Sequence, residues 1–532
     1  MGTKTFNNYE DLLTFTRASK GHALRPVSYG TELVANGTFD TDASGWNALG
    51  NSTISVSNGE MIVSGDGGYN DYAQDLITTE AGKLYSVEAT GRSITGNMFL
   101  AIKLSVSPFT TLVSHTFTSA SPETVKLSFV AGGPTTQVQF IQYSGSAGSG
   151  ALDNVSVKEV TFDQPDGTLT LFEHPDNIPR VEWDADRNRL GLLVEEARTN
   201  LFTNSNAIDS TLTSLQNLTV SNEEVSTGVY QGTWRKFTED TSTAQHRLVG
   251  SNVVTISAGS YATISCLVKR ISGTRNVQMM IYSGGDNFVG SFDLDAETGS
   301  VSKGGTGTAG TATVENLGNG IYRISANGIV STTVTNCSVI WRLADGATNS
   351  YTGDGTSSVA VTAMQIEVGA FRTSLIKTTG SSATRSADVA SIPAADFGYN
   401  QSAGSLLAEA KLLIKDVSYK AVVNLNTDGS NRIRIISSSS VDVIQAEITD
   451  GGANQLSLSE SITEGASFKA IIAYKENNSS SSVNGSVEAI DTACTIPAVT
   501  KLDIMTGMTG HIKSIKYYPR RLTNAQLQEL TS

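Results

Sequence analysis

The stretch VEWDADRNRLGLLVEEARTN (181–200) holds the densest set of oxygen ligands in a chain that is otherwise poor in charge. It partly matches a calcium-binding loop, whose first, third, fifth and twelfth positions would be taken by Asp184, Asp186, Asn188 and Glu195. The sixth position is Arg189, where the sharp turn of such a loop needs glycine. The alternating residues before the loop also predict a strand, where a calcium loop needs a helix. The spacing therefore argues against an EF-hand-like site.

Glu195 and Glu196 form an adjacent pair of carboxylates, the groups that glycoside hydrolases use as acid and base. Adjacent side chains of an extended chain point to opposite faces, so these two cannot face one substrate together. Ion-pair partners are at hand in Arg187, Arg189 and Arg198. We therefore expect a surface ion-pair network, with DADRN as a hairpin turn and LGLLVE as a buried strand.

Other catalytic signatures are missing from the sequence. It has no G-x-S-x-G elbow in a strand-to-helix context, no P-loop and no dinucleotide-binding fingerprint. The five histidines show no pair at ligand spacing, and the three cysteines are too far apart for a metal site or a disulfide framework. We predict that the chain is not an enzyme, that it has no catalytic residues, and that it is made in a reducing cytoplasm.

Composition excludes several classes of partner. The 532 residues include only 17% charged residues and carry a formal net charge of −14. That charge argues against nucleic acid and against anionic lipid as partners. The strongest apolar runs, such as KAIIAY (469–474), are far shorter than the about 18 residues of a membrane span, so no membrane insertion is expected.

Strands must position most of these side chains, because period-two patterns dominate the chain. The dipeptides Asn58-Gly59 and Asn327-Gly328 each separate alternating runs and predict tight hairpins. Residues 431–462 predict a meander of strands. The fold class is therefore predicted to be all-β.

Helical periodicity is limited to short segments near the two termini, 5–15 and 522–530. In the second segment Thr523 can cap the helix, and Leu527 and Leu530 share one face. We expect two short terminal helices on an otherwise β-structured chain.

A loose internal repeat divides the β-structured part. AGKLYSVEATGR (81–92) and AGSYATISCLVKR (258–270) are each a Gly turn followed by an alternating strand that ends in Arg. Many short strands separated by turns are typical of β-sandwiches. We predict three jelly-roll-type β-sandwiches in tandem, at 31–160, 201–380 and 400–532. A linker, 381–399, precedes the last of them.

Two of these blocks resemble known families. Residues 31–160 resemble a jelly-roll carbohydrate-binding module, on LVANGTFDTDASGWN (33–47) and LDNVSVKEV (152–160). Residues 400–532 resemble concanavalin A-like, or laminin-G-like, sandwiches, on GHIKSIKYYPRRLTNAQLQEL (510–530).

Three further segments together resemble bacteriophage tail and other virion proteins: FTRAS (15–19), PRVEWDADRNRLGLLVEEARTNLFTNS (179–205) and ATRSADVASI (383–392). The resemblance implies that the module at 31–160 is inserted into a small N-terminal framework segment made of 1–30 plus 161–200. Insertion at a loop tip has a small thermodynamic cost.

The resemblance to a carbohydrate-binding module implies a sugar site. QVQFIQY (137–143) alternates, so Gln137, Gln139, Ile141 and Tyr143 share one face. The candidate carbohydrate-binding residues are Tyr69, Tyr72, Gln137, Gln139 and Tyr143. By the same resemblance, no cofactor is expected apart from a possible structural calcium, held by Asp40, Asp42 and Asp153.

Taken together, these resemblances imply a phage virion structural protein, a tail fibre or similar appendage that adsorbs to a host-surface glycan without catalysis. Its partners would be other virion proteins, the host glycan and further copies of itself, with a trimer expected by analogy. It would be made in the host bacterial cytoplasm and reside in the virion. Two alternatives stay open: a purely structural head decoration, head fibre or tail assembly protein, and a glycan-degrading depolymerase.

Overall fold

A computed structural model of the chain confirms the prediction of an all-β fold. It describes residues 9–68, 71–142, 147–206, 212–226, 228–252, 254–283, 286–304, 307–335, 337–413, 419–438, 443–463, 465–487 and 490–532. Strands make up most of them, and the α-helix Asn524–Thr531 lies at the end of the chain. Among these residues no helix is long and apolar enough to cross a membrane.

The chain divides into two compact units, Pro26–Thr168 and a second unit made of Met1–Arg25 with Leu169–Ser532. The chain enters the first unit within the strand Gly21–Glu32 and leaves it at the start of the strand Thr168–His174. The first unit is therefore an insertion in the second, at boundaries a few residues outside the expected 31–160.

The inserted unit, Pro26–Thr168, consists of two antiparallel sheets around one core. In the first sheet the spatial order is Glu123–Val130, Leu84–Thr95, Gly148–Phe162 and Gly21–Glu32, with Glu60–Gly65 and then Thr53–Ser57 added beside Gly148–Phe162. In the second sheet the order is Asn47–Leu49, Tyr72–Thr78, Thr135–Gln142, Met98–Leu104 and Thr111–Phe117. Trp46 lies in the core, edge-on to Phe39 at 5.6 Å.

The predicted hairpin at Asn58-Gly59 is confirmed. Thr53–Ser57 pairs with Glu60–Gly65, and both turn residues have positive φ, 55° and 76°. That is the backbone of a two-residue hairpin turn, which asparagine and glycine adopt with little strain.

The second sandwich follows in the other unit. One of its sheets runs Leu212–Gln216, Arg247–Asn252, Cys337–Ala344, Asn276–Ser283, Asp286–Asp293 and Thr298–Gly304. The facing sheet runs Leu218–Val225, Gly232–Glu239, Ser358–Val368, Tyr261–Ser272, Ile321–Ile329 and Thr308–Asn316. Thr243–Ala244 and Tyr351–Thr352 form a separate short pair.

The predicted hairpin at Asn327-Gly328 is wrong, because both residues lie inside the strand Ile321–Ile329. The Asn327 side-chain amide bonds to the neighbouring strand: it donates to Thr311 Oγ1 at 2.9 Å and accepts from the Thr311 backbone N–H at 3.1 Å. Gly328 leaves room for the Phe288 ring, which would lie 2.9 Å from an added Cβ. Packing across the sandwich thus outweighs the local turn preference.

The third sandwich has two sheets of seven strands each. The first runs Thr14–Thr16, Val389–Pro393, Lys501–Thr506, Ala421–Asp428, Asn431–Ser437, Val443–Asp450 and Ala453–Ser461, which includes the predicted meander. The second runs Arg180–Trp183, Arg189–Val194, Gly510–Tyr518, Ala403–Leu412, Ser467–Lys475, Ser480–Val483 and Ser486–Val487. Arg198–Asn200 and Ala383–Arg385 form a short pair beside them.

The structure differs from the expected framework segment and linker. Strands from 1–30 and 161–200 belong to the sheets of the third sandwich, where Phe15, Leu192 and Val194 are buried in its core. The expected linker 381–399 contains the strands Ala383–Arg385 and Val389–Pro393. Burial of these apolar side chains explains why the segments do not stand apart.

The two predicted helices have different outcomes. The described part of 5–15 is a short 3-10 turn, Tyr9–Leu12, followed by the strand Thr14–Thr16, because the Tyr9 ring and Phe15 are drawn into the core. The C-terminal helix is confirmed as Asn524–Thr531. Its Thr523 cap accepts from the Gln526 amide while the Gln526 side chain accepts from the Thr523 amide.

Candidate functional site

The outer face of one sheet in the inserted unit carries a row of amides. Along Thr135–Gln142, Val138 and Phe140 enter the core, so Gln137, Gln139 and Ile141 point to the opposite side. Gln74, on the neighbouring strand, stands directly opposite Gln139. We call Gln74, Gln137, Gln139 and Tyr72 the Gln face.

The three amides of the Gln face bond to one another. The Gln139 side-chain nitrogen donates to Gln137 Oε1 at 2.7 Å and to Gln74 Oε1 at 3.1 Å. Gln139 is only 2% exposed, and within the described part of the chain its Oε1 atom has no hydrogen-bond partner. A buried carbonyl without a donor costs free energy, and a hydroxyl or water can supply that donor once the side chains that cover the atom move aside.

Apolar and cationic groups border these amides. Tyr72 and Phe99 both stand beside Ile141, and Lys103 stands beside Gln137. Leu76 is 52% exposed at the end of the same face. The face therefore offers fixed donors and acceptors next to an aromatic ring, the combination by which polar, ring-shaped ligands are held.

A carboxylate that the sequence analysis did not single out fixes the loop before Tyr72. Asp71 accepts hydrogen bonds from the backbone amides of Asn51 at 2.7 Å, Asp66 at 3.1 Å and Gly68 at 3.1 Å. These bonds, led by that from Asn51, lower the pKa of Asp71 below its usual value. Two predicted sugar-binding residues, Tyr69 and Tyr143, lie outside the described residues.

The three residues predicted for calcium have separate partners. Asp42 accepts from the Ser44 amide at 2.9 Å and Asp40 from the Thr38 hydroxyl at 2.8 Å. Burial, then the nearby charges of Glu60 and Asp40, raises the pKa of Asp153. Among the described residues no three His, Cys, Asp or Glu side chains converge as a metal site would need. The calcium site stays a prediction.

The expected surface ion-pair network around Glu195 is wrong, because this carboxylate is buried in what we call the ionic cluster. Its members are Arg17, Arg180, Glu195, Arg385 and Asp388, each no more than 7% exposed. Arg180 donates to Glu195 at 2.8 Å and to Asp388 at 2.5 Å, and Arg17 donates to the other oxygen of Asp388 at 3.2 Å.

Glu195 is saturated within the cluster. It accepts from the Ser374 amide at 2.7 Å and the Ser374 hydroxyl at 2.6 Å, and Arg385 lies 3.5 Å away. Against the cost of burial, the charges of Arg385 and Arg180 hold the pKa of Glu195 well below its usual value. The carboxylate is therefore ionised and inaccessible to a substrate.

The rest of 181–200 follows the prediction. Asp184 and Asn188 close the turn of the hairpin, with the Asn188 amide donating to the Asp184 carboxylate at 2.8 Å. Glu196 points away from the cluster and pairs with Arg198 at 2.5 Å. Within these described residues, Glu195 and Glu196 therefore have separate partners and do not face one substrate together. The acidic side chains of the stretch do not converge as a metal site would need.

The three segments FTRAS, 179–205 and ATRSADVASI supply all five members of the ionic cluster. Sequence reasoning singled out these segments as a recurring set but missed the contacts between them, since no spacing rule links residues so far apart in the chain. The signal available in the sequence was that these three short segments hold twelve charged residues, of which five form the cluster.

No protein-family model matches the chain, and no curated protein matches it. Among solved structures, a CBM4 structure is similar with 19% identity and a TM-score of 0.22, covering 24% of this chain and 99% of that one. Mouse laminin alpha1 chain domains LG4-5 are 8% identical at a TM-score of 0.18, over 60% of this chain and 97% of that one. A Trypanosoma rangeli sialidase is 10% identical at a TM-score of 0.20, over 96% and 93%. Sequence identities and TM-scores this low assign the role of none of the three proteins to this chain.

Proposed function

We propose that the chain is a glycan-binding protein and that the inserted unit binds a saccharide on the Gln face. The observation that carries this proposal is the cluster of three bonded glutamines on an outer sheet face, with one buried carbonyl left without a donor. Sugar hydroxyls both donate and accept, and an amide side chain offers the complementary pair of groups.

Binding would be reversible and would involve no bond breaking. Binding would require the side chains that cover Gln139 to shift, so that a sugar hydroxyl can donate to its Oε1 atom, while Gln74 and Gln137 keep the Gln139 amide in one orientation. The ring of Tyr72 offers an apolar surface for a sugar ring. Each contact is weak, so several copies of the chain would raise the effective affinity.

We propose further that this binding serves adsorption of a phage particle to its host, with the chain in a tail fibre or similar appendage. The support is the sequence resemblance of the three segments that build the ionic cluster. Their side chains meet in one buried place, so they form one structural motif. Other virion proteins, the host glycan and further copies of the chain, in a trimer by analogy, would be its partners.

A depolymerase that uses Glu195 is disfavoured by the burial of that carboxylate. A substrate would have to displace the Ser374 and Arg180 contacts before reaching it. A purely structural part of the particle remains the rival of the adhesin proposal, and glycan binding distinguishes the two.

Affinity electrophoresis and a glycan array with the full chain test the sugar site. We expect Gln139→Ala to weaken binding at least about tenfold, since a hydrogen-bonding pocket loses both its donor and its acceptor. The matched control is Thr124→Ala, which alters an exposed hydroxyl pair with Thr90 on the other sheet of the same unit. Equal binding by both variants, or no retained glycan at all, would contradict the proposal.

The virion part is tested separately by labelling. Antibodies raised against the chain should decorate one appendage of the intact particle in electron micrographs. Decoration of the head shell, or no decoration of particles, would refute a role in a tail fibre or appendage while leaving the sugar site untouched.

A further inference from the structure

The second sandwich carries a different outer face, and two arginines stand at its centre. Along Cys337–Ala344, the side chains of Val339, Trp341 and Leu343 enter the core, which leaves Arg342 on the outer side. Arg247 stands directly opposite Arg342 on the neighbouring strand. This face belongs to a sandwich separate from the one with the Gln face.

Polar side chains continue from these arginines in one line across five strands. The pairs in register are Gln216 with Arg247, Arg247 with Arg342, Arg342 with Gln278, and Gln278 with Ser291. Arg247 donates to Gln216 Oε1 at 2.7 Å, Arg342 donates to Gln278 Oε1, and Gln278 donates to Ser291 at 3.0 Å. We call Gln216, Arg247, Arg342, Gln278 and Ser291 the cationic row.

The two guanidinium groups of the cationic row have amide partners in place of carboxylates. Within the described residues neither Arg247 nor Arg342 forms an ion pair, and their neighbours on the row are uncharged. Burial and the charge of Arg247 lower the pKa of Arg342 below its ordinary value. Two cations side by side repel one another, so the face gains stability when an anion arrives.

Three other arginines of the same chain are paired with carboxylates. Arg323 pairs with Glu315 at 2.8 Å and Arg434 with Glu447 at 2.9 Å, each across neighbouring strands. Arg275 pairs with Glu239 at 3.0 Å. Arg235, on the facing sheet, pairs instead with the amide of Asn222 at 2.5 Å. What distinguishes the cationic row is that two arginines stand side by side without a carboxylate among the described residues, in a chain with a net charge of −14.

An apolar strip runs beside the cationic row. Val249 stands opposite Ile340, Ile340 opposite Met280, and Met280 opposite Val289. Tyr282, two residues beyond Met280, is 41% exposed on the same face. Forked cationic donors beside an apolar strip and a tyrosine ring fit a chain of sugar rings that carries carboxylates.

We propose that the cationic row binds an acidic polysaccharide through the carboxylates of its uronic acid units. Each guanidinium offers a planar pair of N–H donors that matches a carboxylate, and the apolar strip accepts the faces of the sugar rings. The site goes beyond the Gln face and does not depend on it, since the two faces lie in different units of the chain.

Affinity electrophoresis of the full chain tests this site with polygalacturonate and with its methyl-esterified form, which keeps the backbone and removes the charge. We expect retardation by polygalacturonate alone. It should weaken between about 50 mM and about 500 mM NaCl, since salt screens the ion pairs. The double variant Arg247→Gln/Arg342→Gln should lose at least about tenfold in affinity.

Lys269→Gln is the matched control, because it removes a positive charge from the facing sheet of the same sandwich. Should the double variant fold poorly by circular dichroism, Arg342→Lys keeps the charge, removes the fork and should still weaken binding. Equal retardation by the esterified polymer, retardation only by a sulfated polymer such as dextran sulfate, or an unchanged double variant would overturn the proposal. Gln139→Ala should leave this binding intact, so failure here and failure at the Gln face are separable.

Discussion

At the scale of single residues, the ionic cluster brings together five buried charges from distant parts of the chain. Asp388 accepts from Arg17 and Arg180, and its Oδ2 atom also accepts from the Glu195 amide at 2.8 Å. Arg17 in turn donates to the carbonyl of Pro175 at 2.7 Å. A buried charge is tolerated when it is paired and hydrogen-bonded, and here each charge is shared between segments that are distant in sequence. Among the described residues, only the Nε atoms of Arg180 and Arg385 in the cluster are buried without a hydrogen-bond partner.

Removing one charge from the ionic cluster should therefore be costly. We expect Asp388→Asn to lower the free energy of unfolding by about 3–5 kcal/mol, because it leaves Arg17 and Arg180 buried with too little negative charge. Urea denaturation followed by tryptophan fluorescence measures the change, since urea does not itself screen ion pairs.

Glu196→Gln is the control for Asp388→Asn. The Glu196 side chain is 28% exposed in its pair with Arg198, and exposed pairs contribute about 1 kcal/mol or less. A similar loss in the two variants would show that burial of the cluster contributes little to its strength.

At the scale of elements, the hairpin of Arg180–Trp183 and Arg189–Val194 joins the third sandwich by a close backbone approach. Leu192 pairs with Ile512 of the strand Gly510–Tyr518. Gly191, with φ of +112°, lies so close that an added Cβ would be 2.1 Å from the Ile512 carbonyl oxygen. Backbone packed this tightly against backbone cannot move aside as a flexible side chain would.

Gly191→Ala should detach this hairpin from its neighbour. We expect a loss of about 2–4 kcal/mol in the free energy of unfolding, from the clash together with the strained backbone. Gly232→Ala is the control, because its φ is +124° and no atom lies within 4 Å of the added Cβ. Thermal and urea unfolding measure both, and a loss of equal size at Gly232 would assign the effect to backbone strain alone.

Sequence patterns correctly predicted the elements that depend on residues close to one another in the chain. The Asn58-Gly59 turn, the Thr523 cap and the alternation of Val138 and Phe140 each depend on neighbours within a few residues. Asn327-Gly328 carries the same turn signal, but the Phe288 ring that packs on Gly328 lies in another strand and overrides it. The helix expected near the N-terminus likewise gives way to burial of the Tyr9 and Phe15 side chains.

The candidate site was predicted only in part for the same reason. Alternation placed Gln137 and Gln139 on one face, but no sequence rule brings Gln74 beside them, since its strand is distant in the chain. The cationic row was missed entirely, because Arg247, Gln278 and Arg342 each look like an isolated polar residue until the strands are paired. Cross-strand neighbours are the information that a single sequence lacks.

At the scale of the whole molecule, the chain is one unit inserted in another. The ends of the inserted unit are adjacent: the Asp163 amide donates to the Pro26 carbonyl at 3.0 Å, and an added Cβ on Gly167 would lie 3.1 Å from Pro26. Adjacent ends allow an insertion to be removed and the surrounding chain rejoined across a short gap.

We therefore expect both parts to fold after separation. Residues 26–168 keep the pairing of Val27 with Phe162 and of Tyr29 with Val160. The cut removes the first residues of the strand Gly21–Glu32 and its edge partner Thr168–His174, and leaves the other strands of both sheets in place. Joining Arg25 to Leu169 through a short Gly-Ser linker should leave the remainder with its two sandwiches and the ionic cluster. Each product should show a β-type circular dichroism spectrum and one cooperative thermal transition, and an unfolded product would refute independence of the units.

The two binding activities should separate in the same way, because the Gln face lies in the excised unit and the cationic row in the remainder. Glycan binding that is sensitive to Gln139→Ala should be found in the excised unit, and polygalacturonate binding in the remainder.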